Sequence, residues 1–524
     1  MQQVILCEDV LLPQSLNGAQ AYFGRKTRLL ATIVVPATLV GALALAAGIH
    51  APMRELPVKP GESGTTVIDD VTVIDPRSGT AQQHQSVIIE GNRLRYAWPS
   101  AQAPALRHAR RIAGAGKFLS PGLWDAHAHT FKLSPPLHFP LMLANGVSGM
   151  RDMGDGCCWS GNLRCQPDAP TWRGRIARGA MLAPRMAATA SYHVEALGKG
   201  EPGAAAAIGR DSAALVAALR ARGDGLVKLQ LDDHVDPAQF KAVVAQANLQ
   251  GVPVAGHLAF SVDLLDPQLG TLHSVEHDTG LLPQCSSVAA QFDGRNRSKA
   301  WLLAHADNRR CDAVLEHMAR RGTAYTPTHV ASIGQDWMLL SGAYRDDQRV
   351  KYVVAPQRWI WRLYAYMAVR GTDAEHRAPL QAYYQTSLKL TQRAQARGVT
   401  VLAGADAMDP YVVHGFGLHD ELGQLVAAGL SPAQALKTAT WNPVRHLGFE
   451  RDFGTIETGK MADMLLLNAN PLDHIGHLQN IDALIYDGKF YSRQDLHAML
   501  AFVEVEASRY AMACKFIWGI IRPW

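Results

Sequence analysis

An alternation running through the middle of the chain limits the fold more than any other feature. Short apolar runs hand over to Ala/Leu-rich stretches of helical spacing and then to further apolar runs, as in residues 226–230, 237–249 and 252–257. Strand–helix–strand alternation of this kind builds a parallel sheet. Eight strands are predicted, near residues 122–127, 147–153, 181–190, 226–231, 252–257, 272–277, 323–328 and 400–406. That number suits a (β/α)8 barrel with insertions. The alternative, an open doubly wound sheet, lacks its signature, since no Gly-x-Gly-x-x-Gly follows a first strand.

The flanks read differently. Residues 65–74 and 86–91 are β-branched runs separated by Asp75-Pro76 and Gly79, and a similar texture returns in residues 454–460, 462–467 and 483–489. The expected organisation is a leader at 1–53, a β piece at 63–118, a barrel at 119–448, a second β piece at 449–495 and an extension at 496–524. Apolar residues at 48% and charged residues at 19% exclude disordered and collagen-like classes. A net charge of only +5, with no basic stripe interleaved with aromatics, argues against a nucleic-acid partner.

Arg25, Lys26 and Arg28 precede a run without charges at residues 29–49. A basic flank followed by an apolar run predicts an export signal or a membrane anchor, placing the remainder in the periplasm, outside the cell or tethered through this segment. The alternative is a buried core helix. Export puts Cys157, Cys158, Cys165, Cys285 and Cys311 in an oxidising compartment and predicts at least one disulfide, with connectivity open; a structural metal at the first three is the alternative.

The chemistry concentrates at predicted strand ends. In the first strand, His127 and His129 stand two apart, so both imidazoles point the same way and can share one metal ion. Lys228, His257, His277 and Asp406 recur at the ends of later strands. In a barrel those ends meet at one mouth, where catalytic groups sit. Tyr192 and His193 after the third strand, and Tyr325, Thr326 and Thr328 at the seventh, are candidate substrate contacts, loop packing being the alternative. Residues 333–398, rich in Trp and Tyr, read as an aromatic lid or a helical core, and residues 516–524 as a membrane-interface or oligomer contact.

This ordered set resembles the amidohydrolase superfamily of metal-dependent hydrolases over roughly residues 65–490, in the branch of prolidase-like and imidazolonepropionase-related enzymes. Residues 146–154, His419-Asp420-Glu421-Leu422, 436–443 and 454–463 match its texture too. The resemblance implies a distorted (β/α)8 barrel with a small composite β-sandwich domain made by the two flanks. It also implies two divalent ions, expected to be zinc, with His127, His129 and Asp406 holding one, His257 and His277 the other, and a carboxylated Lys228 both. The implied reaction is hydrolysis of an amide bond in a dipeptide or N-acyl amino acid, through water shared by the two ions, with Asp406 moving the proton. An imidazolonepropionase-like cyclic amidase, a deaminase or a lactonase is the alternative, and a catalytically silent binding protein lies further off. The expected partners are a small amide substrate and further copies of the chain.

Overall fold

The computed structural model describes residues 41–521, apart from 42, 61–63, 103–105, 107, 158–164, 191–192, 195–210, 230–236, 292–297, 332 and 372–373. The apolar run at 29–49 therefore lies largely outside the described residues, apart from a helix over residues 43–50. Among the described residues, no helix is long and apolar enough to cross a membrane.

The β-branched runs of the N-terminal flank form β1 (Thr65–Asp75), β2 (Thr80–Glu90), β3 (Arg93–Pro99), β4 (Arg110–Ala113) and β5 (Phe118–Pro121). The middle of the chain supplies β6 (Leu123–Ala128), β7 (Val147–Asp152) and β8 (Arg185–Thr189), then β9 (His193–Val194), β10 (Val227–Leu229), β11 (Val254–Gly256), β12 (Ser274–Glu276) and β13 (Ala324–Thr326). The C-terminal flank adds β14 (Met464–Leu467), β15 (Ile481–Tyr486) and β16 (Lys489–Ser492).

Both flanks share one sheet of order β16-β15-β14-β5-β1-β2-β3, with β4 on β1. The seam is β14 lying antiparallel to β5, Leu465 opposite Ser120. Ile68, Val71 and Val87 from the first flank pack with Met464, Leu466 and Ile485 from the second in one apolar cluster. The β15–β16 turn shows why the chain reverses there. Asp487 (φ 52) and Gly488 (φ 73) both take the left-handed conformation that a two-residue hairpin of matching twist requires. A side chain at 488 would in addition run into the carbonyl of Gly91, 2.0 Å from an added Cβ.

The middle is built of parallel strands, one sheet of β6-β7-β8 and one of β13-β12-β11-β10-β9. The helix Ser134–Ala144 after β6 is buried all round, whereas later helices bury one stripe. In Asn308–Arg321 that stripe is Cys311, Val314, Leu315 and Met318, a spacing of three and four, with Asp307 capping the first turn and Gly322 (φ 70) ending the last.

The eighth predicted strand departs from expectation. Residues 400–406 form a single parallel bridge, Val401 to Tyr325, rather than a strand. Their backbone nevertheless bonds on both sides: Leu402 N–H donates to Tyr325 O at 2.9 Å, while Ala126 N–H donates to Ala403 O at 2.9 Å and Asp406 N–H to His127 O at 2.7 Å. The segment bends because Gly404 lies so close to β6 that a Cβ there would stand 2.5 Å from His127 Cβ, and because Asp406 turns left-handed (φ 51).

The aromatic-rich insertion is helical: Ile333–Ser341, Ala355–Gly371 and Ala374–Ala396. Leu339, Trp361 and Ala365 from it pack with Leu137 and Leu141 of the helix after β6 and with Tyr411 and Val413. It thus covers the side of the fold where β6 and residues 401–406 end. Two disulfides form, Cys157–Cys165 and Cys285–Cys311, which removes Cys157 and Cys165 as metal ligands; Cys158 lies outside the described residues.

Candidate active site

The six residues expected at the strand ends come together. His129 Nε2 lies 3.0 Å from Asp406 Oδ1, and His127 Nε2 lies 3.5 Å from the same oxygen. Lys228 Nζ, from β10, sits 3.1 Å from His127 Nε2. His277 Nδ1 is 3.5 Å from Asp406 Oδ2, and the His257 ring stands edge-on to the His277 ring, centroids 4.4 Å apart.

Protonation in this cluster suits metal binding. Burial, reinforced by the Lys228 charge, lowers His127 to about 4. Burial lowers His277 to about 3 and puts His257 well below the usual imidazole range. Burial alone would raise the Asp406 carboxyl, but His127, His129 and His277 around it hold it well below the usual carboxylate range. Neutral imidazoles and an ionised carboxylate are the forms that coordinate a cation. The ligand atoms of His127, His129 and Asp406 lie within 4.8 Å of one another, a nitrogen–oxygen set that fits zinc or a similar divalent ion.

A pH dependence follows. Since burial, the largest cause of the lowered imidazole pKa, leaves the neutral, coordinating form in place on acidification, metal content is expected to persist as pH falls through about 6.5 and to drop only at more acid pH. Elemental analysis after equilibration at about pH 7, 5.5 and 4 and desalting checks this. Loss of metal between about pH 7 and 6 would mean that these rings titrate like exposed ones.

Sequence reasoning missed the residues that aim the candidate ligands. Glu276 Oε2 accepts from His127 Nδ1 at 2.7 Å, and Glu276 Oε1 accepts from Arg151 Nη2 at 2.7 Å; all three are buried. Arg151 Nη1 also donates to Ser274 Oγ at 2.7 Å, and its Nε to Ala126 O at 2.6 Å. His129 Nδ1 donates to Gly154 O at 3.1 Å. With Nδ1 engaged in this way, His127 and His129 both turn Nε2 toward Asp406, which fixes the tautomer. Asp125, pushed up to about 7 by burial, accepts from the N–H of His127 and of Ala405 and ties the two ligand-bearing segments together. Part of the signal was present: Arg151 lies in the strand-two run and Glu276 precedes His277. Glu276→Gln is expected to weaken metal affinity roughly 10- to 100-fold with the fold kept, measured by competition with a chromogenic chelator alongside circular dichroism. Unchanged affinity would remove Glu276 from the role of positioning His127.

Three residues of the cluster have left-handed backbones: His277 (φ 67), Thr328 (φ 47) and Asp406 (φ 51). Such conformations are strained for residues with a Cβ and gather at functional sites. At His277 the turn lets consecutive residues serve one site, Glu276 reaching His127 and His277 reaching Asp406.

The expected substrate contacts fare unevenly. Thr328 is buried and bonds His277 Nδ1 at 2.7 Å, so it supports that ring. In β13, Thr326 meets Arg151, and the neighbouring Tyr325 is fully buried in the large core. Tyr192 lies outside the described residues, and the backbone of His193 pairs with Lys228 in β9–β10.

Comparison with known proteins agrees with this geometry. Residues 386–491 match the profile of the amidohydrolase family. Among solved structures, the chain is similar to a bottromycin amidohydrolase (24% identity, covering 90% of this chain and 94% of that one, TM-score 0.66). It is also similar to a putative prolidase from Bifidobacterium longum (22%, 85% and 100%, TM-score 0.57) and to a Xaa-Pro dipeptidase with methionine bound in its active site (20%, 82% and 100%, TM-score 0.55). No curated protein sequence is matched. The family match over residues 386–491 and the hydrolases among the similar structures support a hydrolytic enzyme acting on C–N bonds. The chain as a whole carries the fold of these amidohydrolase and prolidase structures.

Proposed function

We propose that this chain hydrolyses an amide bond in a dipeptide or an N-acyl amino acid, using two divalent ions, zinc by preference. The observation that carries this reading is the convergence of His127, His129, Lys228, His257, His277 and Asp406 at one place, with burial keeping His127, His257 and His277 neutral. The bottromycin amidohydrolase and the dipeptidase among the similar structures support an amide substrate. Residues 400–406, bonded to both β13 and β6, support closure of the parallel strands into a distorted (β/α)8 barrel.

His127, His129 and Asp406 would hold one ion, His257 and His277 the other, and Lys228, carboxylated on Nζ, both. A carboxylated lysine fits the position, because an ammonium 3.1 Å from a ligand nitrogen would compete with a cation whereas a carbamate offers it two oxygens. Divalent ions bound here supply Lewis acidity to the substrate carbonyl and bring the pKa of a water toward about 7. Asp406, ionised and beside His129, takes the proton from the attacking water and returns it to the departing nitrogen. Glu276 and Arg151 keep His127 aimed during this transfer. Two disulfides support an extracytoplasmic location, as expected from the basic flank and apolar run at residues 25–49.

Purified, metal-loaded protein offered dipeptides, N-acyl amino acids, lactones and nitrogen heterocycles is expected to release amines from the first two sets. Lactone opening or ammonia release without any amide cleavage would overturn this reading in favour of a lactonase or a deaminase. A protein inert to all four, yet binding one of them, would be a silent relative.

A further inference from the structure

Exposed large apolar side chains are unevenly placed on this molecule. Among the described residues all but Leu249 fall on the segment 43–53 or on helices Ala355–Gly371, Arg493–Ser508 and Tyr510–Ile521. These elements adjoin. A Cβ on Gly48 would stand 2.6 Å from Cys514 Sγ, Lys515 Nζ donates to Ile49 O, and Trp361, Ala365, Val503 and Met512 share one core.

The helix Ala355–Gly371 has two distinct faces. At about 100° per residue, the buried Gln357, Trp361 and Ala365 form one side, and Trp359 (64% exposed), Leu363, Tyr366 and Met367 (55%) fan across the other. Arg358 and Arg362 sit on the edge between them. With Arg345 they line a cavity of about 220 Å³ walled by Trp361 and Tyr411. Among the described residues no carboxylate pairs with any of these three guanidiniums. Aromatic and aliphatic side chains on one face with arginines at its margin match a helix lying in a membrane interface.

We propose that this face docks on an anionic phospholipid bilayer, lipid phosphates seating among Arg345, Arg358 and Arg362. Two observations favour lipid over a second copy of the chain. The apolar run that begins at residue 29 ends in the helix packed on Tyr510–Ile521, so it reaches the molecule at this face. A two-fold contact between copies would press two sets of unpaired guanidiniums together, which like charge opposes.

The full chain, reconstituted in phosphatidylcholine vesicles with or without phosphatidylglycerol and carrying a photoactivatable phosphatidylglycerol, tests this by peptide mapping of lipid adducts. Adducts are expected on residues 355–371 and 510–521 as well as 29–49. The double variant Arg358→Gln, Arg362→Gln should lower phosphatidylglycerol adducts at 355–371 roughly 25-fold, at about fivefold per basic group removed, with amide turnover unchanged. Adducts confined to 29–49 would overturn the proposal. So would crosslinks joining residues 355–371 of two copies without lipid adducts there. Equal labelling in the double variant would overturn the seating of phosphates among the arginines.

Discussion

Asp406→Asn is expected to lower turnover at least about a hundredfold, the lower scale for loss of acid–base catalysis, and further if an ion is lost with it. The amide keeps the volume of the carboxylate and can donate its N–H to His129 Nε2, which lies 3.0 Å from the present oxygen. It cannot take a proton from water and hand it on. The fold should persist, because the Asp406 main-chain bond to His127 O, at 2.7 Å, does not involve the side chain. Rates on the best amide substrate, with near-UV circular dichroism as the fold control, decide the matter. A rate within a few-fold of wild type would take Asp406 out of proton transfer.

Lys228→Ala is expected to cost one or both ions. Lys228 is fully buried in the middle of β10, where the apolar neighbours Val227 and Leu229 hold the strand, so the substitution removes the proposed bridge while those neighbours retain the strand in place. Elemental analysis should give two ions per chain in wild type and one or none in the variant, and intact mass under native conditions should show one carbon dioxide adduct on wild type alone. A single ion in wild type, undiminished by the substitution, would favour a mononuclear, deaminase-like site.

The candidate ligand cluster was legible in the sequence because each member sits at the end of its own short apolar run, and strand ends in a parallel sheet meet by topology alone. Thr326 and Tyr325 show what that reasoning leaves undecided: period-two alternation gives neighbouring residues of a strand opposite sides, and here Thr326 meets Arg151 while Tyr325 lies in the large core. The Glu276–Arg151 pair was not legible as a pair, because its members are 125 residues apart and a buried salt bridge has no local pattern. The left-handed turns at His277 and Asp406 were hidden for a similar reason, since neither residue is a glycine and surrounding packing sets the conformation. Residues 400–406 carry the apolar content of a strand, yet Gly404 and Asp406 bend them, leaving one bridge.

The most direct test of the account removes the metal from the full chain and returns it in measured amounts while amide hydrolysis is followed. Turnover should vanish on complete chelation and recover in proportion to divalent ion, zinc among the best, up to a plateau at two ions per chain. Amide turnover that survives with no metal detectable by elemental analysis would contradict it.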